Sequence, residues 1–210
     1  MFSIEYLTSL ILSIPGLLLA LTFHEFAHGY AAALMGDNTA RYSGRLSLNP
    51  MDHLDLWGTL CLLFFRFGWA KPVPINPQNF KNHKKGIIVV SLAGPAANFL
   101  LAFVSGILMA LLSKFFTASK IAIFFFEILY FCMHMNVGLM IFNLIPIPPL
   151  DGSKILMEFI PYRYRYRMYQ LERFSGFILL LLVWTGILNP VLGYLRNIVI
   201  NLIMLVANLI

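Results

Sequence analysis

The chain has 210 residues, 60% of them hydrophobic and 11% charged, with a formal net charge of +6. Its mean hydropathy is +0.79, whereas water-soluble domains run about 45–50% apolar and about 25% charged. A sizeable soluble domain is excluded, and residues 1–210 are expected to form one polytopic membrane domain.

Apolar windows of about 20 residues mark membrane-spanning helices. The first covers Ile4 to Met35, with a possible kink at Pro15-Gly16. It has no Lys or Arg before the apolar run and carries Glu5, so it is expected to stay on the protein and not be cleaved as a signal peptide. The run Leu54 to Phe67 is short and contains Asp55 and Arg66, which suits a re-entrant or interfacial segment. Spans follow at Gly86 to Leu112 and Ile121 to Leu144, then Phe174 to Leu188 and Pro190 to Ile210 as a tight hairpin or one broken helix. The expected class is all-α polytopic, with five to six transmembrane or re-entrant helices. Ala40 to Leu48 alternates weakly and Trp69 to Pro77 is proline-rich, so the two segments are expected to form a small β-hairpin or sheet near the cytoplasmic face; an ordinary surface loop is the other reading. Cys61 and Cys132 both lie in apolar segments and read as small buried hydrophobes.

Orientation follows from Lys and Arg. Residues 36–85 carry Arg41, Arg45, Arg66, Lys71, Lys81, Lys84 and Lys85, and residues 147–173 carry Lys154, Arg163, Arg165, Arg167 and Arg173. The opposite side receives Lys114, Lys120 and Arg196. This asymmetry puts the two larger loops in the cytoplasm. The Arg163-to-Arg167 run alternates Arg with Tyr, which suits a headgroup-level belt on anionic lipid better than a nucleic-acid surface. No nucleic-acid partner is expected.

Within the first apolar run stands His24-Glu25-Phe26-Ala27-His28, an H-E-x-x-H pattern. Residues four apart share a helix face. His24 and His28 can therefore both turn toward one Zn²⁺, with Glu25 beside them to activate a water. Ionisable groups at this depth are costly, at least ~2.5 kcal/mol each, and point to function. Catalytic zinc takes three protein ligands. Asp151 is the best third candidate; it follows three prolines, Pro146, Pro148 and Pro149, at the end of the third span. Prolines forbid a regular helix there, and broken backbone at membrane depth lines a wet cavity or packs in protein. The other reading of Asp151 is a helix N-cap.

Together these residues resemble the site-2 protease family, intramembrane zinc metalloproteases of peptidase family M50, and more closely its compact form without PDZ or CBS domains. The family's H-E-x-x-H is His24 to His28, and its N-x-x-P-x-x-x-x-D-G is Asn143, Pro146, Asp151 and Gly152. A third feature, G-P-x-x-N, matches Gly94, Pro95 and Asn98. The stretch Gly44 to Thr59, with Asn49-Pro50, His53 and Gly58-Thr59, is also similar, except that Leu56 follows Asp55 where the family often has Pro. The resemblance covers residues 15–160, with helices from 174 to 210 following that core. It implies one Zn²⁺ per chain, and cleavage of a substrate's transmembrane helix near its cytoplasmic end, in a prokaryotic cytoplasmic membrane.

In that frame His24, His28 and Asp151 hold the metal and Glu25 is the general base. Asn143 either donates to the substrate backbone or oxyanion, or makes a helix–helix hydrogen bond; Asn98 has the same two readings. Gly94 allows close helix contact. His53 is a gate or inhibitory ligand, or a plain loop histidine. His134 is about 25 Å from Asp151 along a helix, too far to share its metal, and pairs with Glu127 two turns away. The rival readings are an ion-coupled transporter, suited by the broken third helix, and a catalytically inactive substrate-binding relative. The sequence leaves the oligomeric state open.

Overall fold

The computed structural model describes residues 4–65, 68–116 and 119–209. Its α-helices are α1 (Ile4–Met35), α2 (Thr39–Tyr42), α3 (Leu56–Phe65), α4 (His83–Phe115), α5 (Lys120–Asn143), α6 (Asp151–Phe159), α7 (Tyr162–Trp184) and α8 (Asn189–Ala207). Four stretches, Thr8–Met35, His83–Phe115, Lys120–Asn143 and Asn189–Ala207, are long and apolar enough to cross a membrane.

The packing explains why these helices associate. In lipid, apolar surface gains nothing by being hidden, and small residues that let backbones approach do the work instead. The buried stripe of α4 accordingly includes Ser91, Gly94, Asn98, Ala102, Ser105 and Gly106. Large apolar side chains such as Ile11, Phe124, Phe125 and Leu205 stay exposed, as a lipid-facing surface requires. A Cβ on Gly16 would stand 2.7 Å from Cys132 Cα, so α1 and α5 touch backbone to backbone. Farther from α1, Ala102, Met109, Met133, Val137 and Ile203 form a core shared by α4, α5 and α8. Both cysteines are free.

The expected β-hairpin is absent. Among the described residues there is no strand, and the only extended pairing is an isolated antiparallel bridge between Leu54 and Ala70. The physical reason is local. Pro72, Pro74 and Pro77 remove the N–H groups a ladder needs. At the other segment, Asp37 accepts from Thr39 N–H and hydroxyl and starts the helical turn α2 where a strand was expected. Side chains then tie the loop down: Arg45 Nη2 donates to Lys71 C=O at 2.9 Å, and Asp37 accepts from Asn76 N–H at 2.6 Å and Asn79 Nδ2 at 2.8 Å.

The C-terminal hairpin also differs from expectation. α7 runs from Tyr162 to Trp184, and α8 runs antiparallel to α5: Asn189, Leu192 and Arg196 share a cavity of about 320 Å³ with Gly138, Ile141 and Phe142, while Ile203 packs near Met133 and Gly106. Arg196 therefore sits at the Asn143 end of α5, not at the opposite side where charge counting placed it.

Candidate metal centre and active site

His24 and His28 project from the same face of α1 with their rings edge to face, centroids 4.5 Å apart. Their Nε2 atoms are 3.0 Å apart. Asp151 Oδ2 lies 3.2 Å from His24 Nε2 and 3.1 Å from His28 Nε2. All three residues are buried, and they form the only group of three or more potential ligands among the described residues. The third side chain arrives because the chain turns sharply between Asn143 and Asp151. A Cβ on Gly152 would meet Leu144 C=O at 2.2 Å, so glycine is needed where the start of α6 folds onto that turn. Asp151 is the first residue of α6 and makes no cap: Oδ1 accepts from Lys154 Nζ at 2.9 Å, and Oδ2 has no hydrogen-bond donor.

The Lys154 ammonium beside Oδ1 favours the ionised Asp151 carboxyl, the form able to ligate a metal.

The far side of each imidazole is engaged. His28 Nδ1 donates to Val90 C=O at 2.7 Å. Pro95, inside α4, leaves the neighbouring Ser91 carbonyl without a helical donor. His24 Nδ1 meets Asn98 Oδ1 at 2.6 Å. With a proton on each Nδ1, both Nε2 atoms are lone pairs. Two imidazole lone pairs and a carboxylate oxygen at 3.0–3.2 Å from one another repel unless a cation lies between them. In a tetrahedral zinc site, with bonds of about 2.0–2.1 Å, donor atoms stand about 3.3 Å apart. The residues fit the metal, and three protein ligands leave a fourth position for water. Gly94 makes the cradle possible: a Cβ there would fall 2.5 Å from His28 Nε2 and 2.7 Å from His24 Nε2.

Glu25 is half-buried, and its Oε2 accepts from Val73 N–H at 2.9 Å. The proline-rich segment thus crosses next to the H-E-x-x-H turn, with Val73 also packed near Gly29.

The other sequence-predicted residues sort as follows. Asn98 reaches the site through His24. Asn143 does not: its Nδ2 donates to Leu139 C=O in its own helix at 3.1 Å. His53 is fully buried and belongs to the loop, with Nε2 against Ser47 C=O at 2.8 Å and its carbonyl accepting from Lys71 N–H at 2.8 Å. It is not in the metal-capable group. No ion pair joins Glu127 and His134; His134 Nδ1 donates to Tyr130 C=O and its ring stacks at 3.9 Å on Tyr130. Sequence reading missed Val73, Val90 and Asn136. Only Asn136 carried a visible signal, a polar amide in the middle of an apolar span.

Comparison with known proteins agrees with this geometry. The sequence profile of peptidase family M50 matches residues 12–185. "Putative zinc metalloprotease YwhC" of Bacillus subtilis is 38% identical over 187 residues, covering 86% of this chain and 84% of the relative. Rip2 of Mycolicibacterium smegmatis, under the same description, is 35% identical over 156 residues, covering 71% of this chain and 57% of the relative. No solved structure matches. The profile takes in every segment that lines the triad, from α1 through Gly94 to Asp151, and the chain, an integral membrane protein, belongs to peptidase family M50.

Proposed function

We propose that this protein is an intramembrane zinc endopeptidase, with His24, His28 and Asp151 as metal ligands and Glu25 as general base. The observation that carries the reading is the depth of the site. His24 and His28 lie inside the span Thr8–Met35, with His28 about 10 Å, at 1.5 Å per residue, from the helix end. Such a site serves a substrate that is itself in the membrane: the transmembrane segment of another protein. Arg196 stands toward the Asn143 end of α5 and the two basic loops follow Met35 and Asn143, which supports a cytoplasmic orientation for this end. Relatives in bacteria accord with a prokaryotic cytoplasmic membrane.

A bound zinc ion would supply Lewis acidity toward a water and the scissile carbonyl. Glu25 takes the water's proton and delivers it to the leaving amine. Val73 N–H holds one carboxylate oxygen of Glu25 and leaves the other for this work. The buried surroundings of the triad exclude competing water and strengthen each electrostatic contact. Asn143, at the end of α5, can donate to the substrate backbone once its amide releases Leu139.

Mapping the cleaved bond tests the reading. The purified chain, reconstituted in liposomes with single-span substrates, should cut within the apolar segment near its cytoplasmic end, as read by mass spectrometry of the products. Cuts only in extramembrane loops would contradict it.

A further inference from the structure

His24 is held from behind by two asparagines on two other helices. Asn98 on α4 and Asn136 on α5 are both fully buried. Backbone carbonyls, which can only accept, set the direction of each amide. Asn136 Nδ2 donates to Cys132 C=O at 2.9 Å. Its Oδ1 is left to accept from Asn98 Nδ2 at 2.9 Å. Asn98 Nδ2 also donates to Ala20 C=O at 2.9 Å, so both amide protons of Asn98 are engaged. Asn98 Oδ1 then faces His24 Nδ1 with no proton to give. The proton on His24 must sit on Nδ1, and Nε2 is the lone pair that meets Asp151 Oδ2.

We infer that Asn136 and Asn98 are positioning residues for metal capture: their hydrogen-bond relay fixes the tautomer and ring plane of His24, so that the Nε2 lone pair is presented before metal arrives. The inference rests on the ligand set proposed above. His28 needs no such relay, because Val90 C=O holds its Nδ1 directly. The relay also ties the ligand helix to the helix that leads to the third ligand. Asn136 lies on α5, whose end runs into the turn carrying Asp151, and α5 is in backbone contact with α1 at Gly16 and Cys132. A partner behind a ligating histidine is worth about 10–100-fold in metal affinity. Amides that only glued helices together would affect stability and leave affinity alone.

The test is metal affinity, independent of proteolysis. The full chain in detergent is stripped of metal, and zinc is titrated against a chromophoric chelator for the parent, His24→Ala, Asn98→Leu, Asn98→Asp and Asn136→Leu. Thermal unfolding of each apo chain is followed in parallel. Asn98→Leu should bind zinc about 10–100-fold more weakly, and Asn136→Leu should weaken it about 3–10-fold. Asn98→Asp keeps an acceptor on His24 Nδ1 but loses the donor to Asn136 Oδ1 and Ala20 C=O, and should fall between the parent and Asn98→Leu. Should Asn98→Leu not fold, Asn98→Asp and Asn136→Leu decide: parental affinity in Asn136→Leu overturns the relay. Equal weakening in Asn98→Asp and Asn98→Leu, tracking apo stability, overturns it too. Parental affinity in His24→Ala overturns the ligand set itself; a weakened His24→Ala beside unchanged asparagine variants overturns the relay alone.

Discussion

The backbone N–H of Val73 donates to the Glu25 carboxylate at 2.9 Å across 48 positions of sequence. A hydrogen bond to a charged group contributes about 1.5–3 kcal/mol. This one fixes the rotation of the side chain proposed as base, without touching the triad. Val73→Pro removes the N–H between two existing prolines. Zinc content should stay at the parental level while kcat falls about tenfold or more, the rate equivalent of roughly 1.4 kcal/mol. Parental kcat with a changed KM would instead assign Val73 to substrate contact alone.

Gly94→Ala separates folding from metal binding. Alanine is about 1 kcal/mol better than glycine in a helix, yet its Cβ would stand 2.5 Å from His28 Nε2. Metal analysis of the purified variant should find zinc lost, with the apo chain melting within a few degrees of the parent. A fully zinc-loaded Gly94→Ala chain would contradict the cradle geometry.

Asp37 supplies the pH dependence of the loop over the site. Burial works against its charged form, but hydrogen bonds from Thr39, Asn79 and Asn76 outweigh it and hold its pKa below the ordinary 3.8. A group with a depressed folded pKa stabilises fully above its unfolded value and loses that contribution as pH falls through the folded value. The stability gap between parent and Asp37→Asn should therefore be full at neutral pH and close progressively below about pH 4. Melting curves from pH 7 to pH 3 check this; a gap that widens toward acid has the wrong sign for this account.

How much of this was legible in sequence depended on range. The His24–His28 pair follows from helical spacing alone, and Asp151 from three prolines breaking the chain at the right depth. Asn98 was visible through its match to the G-P-x-x-N motif, but which atom it faced depended on how α1, α4 and α5 meet at Gly16, Cys132 and Gly94. The β-hairpin failed because alternation counts side chains, whereas strand pairing needs N–H donors that Pro72, Pro74 and Pro77 lack. Arg196 was misplaced because charge counting took Phe174 to Leu188 as a span, whereas Asn189, Leu192 and Arg196 at the start of α8 stand beside Gly138, Ile141 and Phe142, toward the Asn143 end of α5.

In the proposed mechanism a zinc ion on His24, His28 and Asp151 works with Glu25 as base. The most direct measurement compares the purified parent with Glu25→Gln, quantifying bound zinc and cleavage of single-span substrates in both. About one zinc per chain is expected in each, with cleavage by the parent alone. Cleavage by Glu25→Gln at the parental rate, or a metal-free parent under zinc-replete conditions, would contradict it.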